Sequence, residues 1–195
     1  MTEKETEEKM FMEFIADTCK IDIDKKLDYP PVCLSYGEKV LQSNNGDLLI
    51  PIALGTYGNL SVVTAPPKTR KSFFCSLLAS AYLSGTNIYG GQIKGHRGNG
   101  DLIYIDTEQG NWHASKVFRR PLDMDSSIPK DKYHTFALRT IGFKERLEFI
   151  EYYLKEHIKE PSLLIIDGVA DLCADVNNIE TVSYTHLTLP TKRIV

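Results

Sequence analysis

The stretch L-S-V-V-T-A-P-P-K-T-R-K-S-F-F, from Leu60 to Phe74, decides how this chain is interpreted. Apolar and β-branched residues open it and predict a strand, 60–64. A turn with two prolines and several basic residues follows, and Lys71-Ser72 then begin an apolar segment that predicts a helix. Strand, basic turn and helix in this order suggest a phosphate-binding loop, because N–H groups at a helix N-terminus bind anions.

The loop is a degenerate form of the P-loop pattern G-x-x-x-x-G-K-[ST]. Ala65 and Arg70 stand where the pattern has glycines. A residue other than glycine is disfavoured wherever the backbone angle φ must be positive. In P-loop chemistry Lys71 reaches the β- and γ-phosphates and the Ser72 hydroxyl binds Mg²⁺. The alternative is an ordinary strand–turn–helix with a basic turn. The predicted nucleotide-binding residues are Ala65, Pro66, Pro67, Lys68, Thr69, Arg70, Lys71, Ser72 and Phe73.

Composition sets broad limits on the protein class. The 195 residues are 42% hydrophobic and 25% charged, which suits one globular domain with a sizeable core. The net charge of −3 gives no global basic field that would mark nucleic acid as a partner. We expect no signal peptide and no membrane span. The four cysteines lack C-x-x-C spacing, so we expect reduced thiols. These features predict a cytoplasmic protein.

The order of predicted elements indicates an α/β fold. A helix is predicted at 5–19, packed on the core or on a neighbouring subunit. A strand is predicted at 47–54, in a hairpin with the segment before it. Further strands are predicted at 101–106, 133–138 and 162–167. Further helices are predicted at 72–84, 112–120 (ended by Pro121) and 143–159. The segment 85–100 contains six glycines and is predicted to be a flexible connector. Near-continuous apolar strands between helices predict a mainly parallel sheet with helices on both faces.

Three strands of this sheet place chemistry at one edge. Ligands of parallel sheets bind beyond the carboxyl ends of the strands, where Lys71-Ser72, Glu108 and Asp167 would meet. An apolar strand ending in Asp suits a Walker B element, whose carboxylate faces hydrated Mg²⁺. A second carboxylate can polarise the attacking water, which is the catalytic role predicted for Glu108, with Lys71 on the phosphates.

These motifs together resemble the RecA-like P-loop ATPases. The resemblance is strongest to the RepA-like branch, the AAA_25-type ATPases of plasmids, phages and mobile elements, which often carry R-K-[ST]. It rests on the loop and on two further segments, L-I-Y-I-D-T-E-Q and L-L-I-I-D-G-V-A-D-L. The resemblance, from about Gly58 to Glu180, implies ATP with Mg²⁺, metal contacts from Ser72 and (through water) Asp167, and catalysis by Glu108. It also implies a homo-oligomeric, hexameric ring acting on single-stranded DNA in replication or mobilisation, as helicase-type proteins do. Arg139 is a further candidate.

The last residues do not continue this pattern. V-S-Y-T-H-L-T-L-P-T looks like one reading frame of a transposon-end adapter used in sequencing libraries, so we expect a non-native tail from about Thr181. The predicted divisions are an N-terminal segment of helix, linker and short strands (1–57), a partial RecA-like core (58–180) and this tail (181–195). The fold is then incomplete at its C-terminus, without the middle strand, and ATP hydrolysis is expected of the full-length protein.

Two other functions fit parts of the pattern. A nucleotide-binding switch or assembly subunit that does not hydrolyse ATP would need the same loop and is left open by Ala65 and Arg70. A P-loop kinase for a small substrate is disfavoured, because the glutamate lies on a separate strand and no lid segment can be recognised.

Overall fold

A computed structural model describes residues 3–42, 46–66, 68–85, 87–88, 90–160 and 162–172, apart from the side chains of 3–5 and 87. The predicted non-native tail lies outside these residues. The helices are α1 (Glu3–Cys19), α2 (Lys71–Ser84), α3 (Asn111–Met124) and α4 (Phe143–His157). The strands are β1 (Val32–Leu41), β2 (Leu48–Thr56), β3 (Asn87–Ile88), β4 (Ile93–Gly95), β5 (Leu102–Asp106), β6 (Tyr133–Ala137) and β7 (Leu163–Asp167), and short 3₁₀ turns span Lys130–Lys132 and Val169–Leu172.

A three-stranded parallel sheet forms the centre of the fold. β5 lies between β6 and β7 and pairs with both in parallel, which confirms the predicted α/β class with a parallel sheet. The register aligns Asp106 at the end of β5 with Ala137 of β6 and Asp167 of β7. The carboxyl ends of the three strands therefore meet at one edge, with two aspartates side by side.

Alternation along β5 divides the core into two layers. Leu102 and Tyr104 pack with residues of α2 and α3, whereas Ile103 and Ile105 pack with Ile150 and its neighbours on α4. Successive side chains of a strand point to opposite faces, so an unbroken apolar strand needs cover on both sides. Helices cover both faces of the sheet, as predicted.

A second, antiparallel sheet was only partly expected. β1 and β2 form the predicted antiparallel pair, and β4 and β3 extend it in the order β2-β1-β4-β3. The prediction that 85–100 is a flexible connector was wrong for β3 and β4. The open edge of β1 offers a backbone ladder to β4, and the His96 ring hydrogen-bonds the Ser35 hydroxyl at 2.9 Å. The sheet joins segments from both sides of the predicted boundary at 57/58.

The strand predicted at 60–64 is absent. Residues 59–66 have no regular secondary structure, and Leu60 and Val62 are more than half exposed. A strand needs a neighbour to satisfy its backbone N–H and C=O groups. Among the described residues no strand pairs with the outer side of β7. The resemblance would put the middle strand of the sheet there, next to the strand predicted at 60–64.

The helix that Pro121 was expected to stop continues to Met124. Proline lacks an N–H and removes one hydrogen bond from a helix interior. Here Pro121 is fully buried, its carbonyl accepts from Asp125 N at 3.1 Å, and it also accepts from the Ser80 hydroxyl at 3.3 Å. Packing and these contacts offset the lost bond, so the prediction of a stop at this residue was wrong.

The N-terminal helix was predicted to lie against the core or a second subunit. The structure confirms the helix, but its apolar residues are exposed; Met10 and Phe14 each retain 65% of their accessible surface. In the described part of the chain, no helix is both long enough and apolar enough to cross a bilayer.

Gly95 controls how closely β4 approaches α2, which gives a testable prediction. A Cβ at this position would lie 2.0 Å from the Ala81 carbonyl oxygen and 2.7 Å from the Tyr82 Cα. Both are backbone atoms of a buried helix, so neither can yield without moving α2. We expect Gly95→Ala to lower the free energy of unfolding by about 3 kcal/mol, measured by urea denaturation.

The control is Gly110→Ala, because a Cβ there meets nothing within 4 Å and φ is −69°. Its cost should stay below about 1 kcal/mol, the usual loss at a helix N-cap. Equal costs for the two variants would contradict the close approach of β4 to α2.

Candidate functional site

The first turn of α2 meets the end of β7. The Ser72 hydroxyl donates a hydrogen bond to Asp167 Oδ2 at 2.6 Å, across 95 residues of sequence. Helix α2 reaches this position because its apolar residues, among them Ala79 and Tyr82, pack on the face of the sheet. The structure thus brings together the two residues that sequence reasoning assigned to Mg²⁺.

The loop before α2 folds back on itself. The Thr69 hydroxyl donates to the Pro66 carbonyl at 2.6 Å, and Lys71 Nζ donates to the Ala65 carbonyl at 3.3 Å. Arg70 O accepts from the N–H groups of residues 73 and 74, which closes the first turn of the helix. Pro67 lies outside the described residues.

The backbone N–H groups of 69–72 point to anion binding. They belong to the basic turn and to the first two residues of α2. The first N–H groups of a helix have no partner inside the helix, and a turn with left-handed residues gathers such groups into an anion-binding concavity. The half-buried Lys71 side chain stands beside this group of donors. The arrangement can hold an anionic group such as a phosphate.

The two positions that depart from the P-loop pattern behave differently. Arg70, at the second glycine position, has φ 66°, and Lys68 has φ 65°. Ala65, at the first glycine position, does not share this left-handed conformation. Loss of the first glycine therefore costs no strain, whereas Arg70 adopts a conformation that disfavours an L side chain.

Phe73 has a side-chain contact that the sequence did not suggest. The Arg120 guanidinium lies over the Phe73 ring, 3.9 Å from its centroid. Arg120 is half-buried, and its Nη1 is buried without a hydrogen-bond partner among the described residues. The stacked arginine adds positive charge beside the first turn of α2.

Glu108 lies on the turn after β5, next to the end of β7. The Thr107 N–H donates to Asp167 O at 3.1 Å, and the Thr107 hydroxyl donates to Gly168 O at 2.7 Å. Gly168 has φ 97°, and a Cβ on it would lie 2.6 Å from Glu108 Cγ. Only glycine therefore lets the Glu108 side chain pass at this point.

The electrostatic surroundings of Glu108 come from the whole edge. Partial burial, followed by the charges of Asp167, Asp171 and Asp106, raises the pKa of Glu108 above the usual range, and Lys71 acts in the opposite direction. A carboxylate with a raised pKa is a better proton acceptor near neutral pH. Lys71, Asp167 and Glu108 thus influence one another at a single edge of the sheet.

The metal expectation rests on few protein ligands. No group of three or more His, Cys, Asp or Glu side chains in the described residues is arranged to hold a metal by itself. The candidate Mg²⁺ ligands are one hydroxyl, Ser72, and one carboxylate, Asp167. Mg²⁺ prefers oxygen ligands and often keeps several waters, with one or two protein carboxylates and substrate phosphates completing its shell. The donor set fits this ion.

Sequence reasoning missed the residue that supports the far side of the site. Arg146 of α4 is buried and donates to the carbonyls of Leu138 (3.0 Å), Arg139 (3.0 Å), Ile141 (2.8 Å) and Asp171 (2.8 Å). It ties the loop after β6 to the 3₁₀ turn after β7. The Arg139 side chain itself is exposed. The sequence signal for Arg146 was weak, because an arginine within an amphipathic helix usually faces solvent.

Cys75 is also close to this edge, one helical turn after Lys71. Burial, followed by the charge of Asp167, raises the pKa of the Cys75 thiol to about 11. The thiol is therefore protonated at neutral pH, and the segment behind Ser72 carries no extra negative charge.

No protein-family profile, curated protein or solved structure matches this chain in comparisons with known proteins.

The left-handed conformation of Arg70 predicts a stability difference between two substitutions. Both Arg70→Gly and Arg70→Ala remove the side chain, but only glycine tolerates φ 66° without strain. We expect Arg70→Gly to be more stable than Arg70→Ala by about 1 kcal/mol, measured by chemical denaturation. Ala65→Gly is the matched control and should bring no gain over the unmodified protein. Equal stability of the two Arg70 variants would show that the loop does not adopt this turn.

Proposed function

We propose that this chain is a RecA-like P-loop domain that binds ATP with Mg²⁺, and that the full-length protein hydrolyses the ATP. The observation that supports this best is the 2.6 Å hydrogen bond from Ser72 to Asp167 at the carboxyl edge of a parallel sheet. A P-loop ATPase needs these two residue types at this place, because the hydroxyl and the Walker B carboxylate share one metal ion. Lys71 and the N–H groups of 69–72 lie beside them.

Each residue has a role in the proposed reaction. The N–H groups of 69–72 and Lys71 would bind the β- and γ-phosphates, and Mg²⁺ would be held by Ser72 directly and by Asp167 through water. When bound, Mg²⁺ supplies charge neutralisation on the phosphate oxygens. Glu108 accepts a proton from the attacking water, and its raised pKa suits that task near neutral pH.

The biological setting of the proposal comes from the resemblance alone. In that setting the domain belongs to a DNA replication or mobilisation protein of a mobile element, assembled as a hexameric ring. Salt-dependent binding of single-stranded DNA is the test of the DNA partner.

Two substitutions separate hydrolysis from binding alone. Lys71→Ala removes the phosphate-binding cation and should abolish ATP binding in calorimetric titration. Glu108→Gln keeps the shape of the side chain but removes the proton acceptor, so ATP should still bind while kcat falls by about 10²- to 10⁴-fold. Lys144→Ala and Glu148→Gln, at exposed positions on α4, are the matched controls and should change neither quantity.

The outcomes discriminate between the proposal and its alternative. ATP binding without turnover in the unmodified full-length protein would favour a nucleotide-binding switch or assembly subunit. Turnover that survives Glu108→Gln would remove Glu108 from the mechanism. Binding that survives Lys71→Ala would contradict the loop as the phosphate site.

A further inference from the structure

Asp106, which the predicted mechanism did not use, is the most deeply buried carboxylate near the site. It ends β5, has no exposed surface, and its Oδ1 accepts from Glu108 N at 3.0 Å and Gln109 N at 2.7 Å. Its Oδ2 is buried and has no hydrogen-bond partner among the described residues. A buried charged group with an unpaired oxygen is costly, so a simple turn-forming role does not explain its burial.

A second aspartate shows that such a turn does not require burial. Asp125 Oδ1 likewise accepts from an N–H two residues on, that of Ser127, and also from the Ser127 hydroxyl, but Asp125 is partly exposed. Hydrogen bonds from Ser127 lower the pKa of Asp125. Burial, in contrast, raises the pKa of Asp106. Burial of the carboxylate therefore costs free energy at Asp106, and this cost does not arise at Asp125.

The turn that Asp106 holds is fixed at two points. The Asp106 carboxylate accepts from the N–H groups of residues 108 and 109, and the Thr107 hydroxyl donates to the carbonyls of Asp167 and Gly168. The Asp106 carbonyl also accepts from Leu138 N at 2.8 Å, which joins the turn to the segment after β6. With its backbone held in this way, Glu108 has a defined starting direction toward the end of β7.

We propose that Asp106 is a positioning residue for Glu108: its buried carboxylate fixes the turn so that Glu108 faces the water that attacks the γ-phosphate. This inference rests on the proposed ATP hydrolysis. Positioning can be worth as much as a catalytic group, because a shift of about 1 Å costs on the order of 100-fold in rate.

The charge of Asp106 adds a pH signature to this role. The charged groups that act on Glu108 are Asp106 of β5, Asp167 of β7, Asp171 after it and Lys71 of α2. Asp106 is among those that raise the pKa of Glu108. Removing its charge while keeping its shape should therefore let Glu108 ionise at lower pH, and the acid limb of the kcat profile should move to lower pH.

The test compares Asp106→Asn with Asp106→Ala. An asparagine oxygen can still accept from the N–H groups of 108 and 109, whereas alanine cannot. We expect Asp106→Ala to lower kcat by about 100-fold with the KM for ATP within about twofold. Asp106→Asn should recover most of kcat above neutral pH, with the acid limb shifted downward. Hydrogen exchange at the amides of 108 and 109 should accelerate in Asp106→Ala but not in Asp106→Asn.

Asp101, which directly precedes β5, provides the matched control. It is also buried, but it lies at the opposite end of β5, where it contacts His134 and Lys132 at 3.3 Å. Asp101→Asn and Asp101→Ala should reduce stability without changing kcat or its pH profile.

The results separate failure of this inference from failure of the proposed function. If Glu108→Gln abolishes turnover but Asp106→Ala retains it, the positioning role is wrong and the ATPase stands. The positioning role is also wrong if Asp106→Asn loses as much kcat as Asp106→Ala, or if the Asp101 variants reproduce the loss. No hydrolysis by the unmodified full-length protein overturns both.

Discussion

The candidate site depends on the hydrogen bond between Ser72 and Asp167. No described strand lies between the loop before α2 and β7, so the first turn of the helix is joined to the sheet edge by this side-chain contact. Packing of α2 on the sheet brings the two groups within reach, and the bond fixes their separation at 2.6 Å. A hydroxyl and a carboxylate at this spacing can share one hard cation. The loop before α2, the candidate metal ligands and Glu108 all lie around this contact.

The charges at this edge are compatible with the proposed cation and its anionic ligand. Asp106, Glu108, Asp167 and Asp171 influence one another, and the pKa values of Asp106 and Glu108 are raised. Lys71 is the positive group that opposes this rise at Glu108. A divalent cation would relieve the carboxylate repulsion. On the loop side, the N–H groups at the N-terminus of α2 and the stacked Arg120 supply positive potential, which suits the proposed phosphate ligand.

Much of the parallel core could be predicted from the sequence, because apolar strands that end in acid and a helix with regular spacing report local patterns. β5, β7 and α4 follow those patterns closely. The strand at 60–64 could not be judged in the same way, because its formation depends on a neighbour elsewhere in the chain. β4 was missed since Gly95 looks like a loop residue, although it serves close packing. Asp106 and Arg146 were missed because their roles come from burial, and burial is a property of the assembled fold.

The most direct measurement of the central claim is the Mg²⁺ dependence of ATP binding in the unmodified protein and in Ser72→Ala. Calorimetric titration with and without Mg²⁺ gives the gain in affinity that the metal provides. If Ser72 and Asp167 share the ion, Mg²⁺ should strengthen binding by about tenfold or more in the unmodified protein, and Ser72→Ala should lose most of that gain. Binding in the absence of Mg²⁺ should change little, because the loop N–H groups and Lys71 remain. An equal Mg²⁺ effect in both proteins would contradict the account.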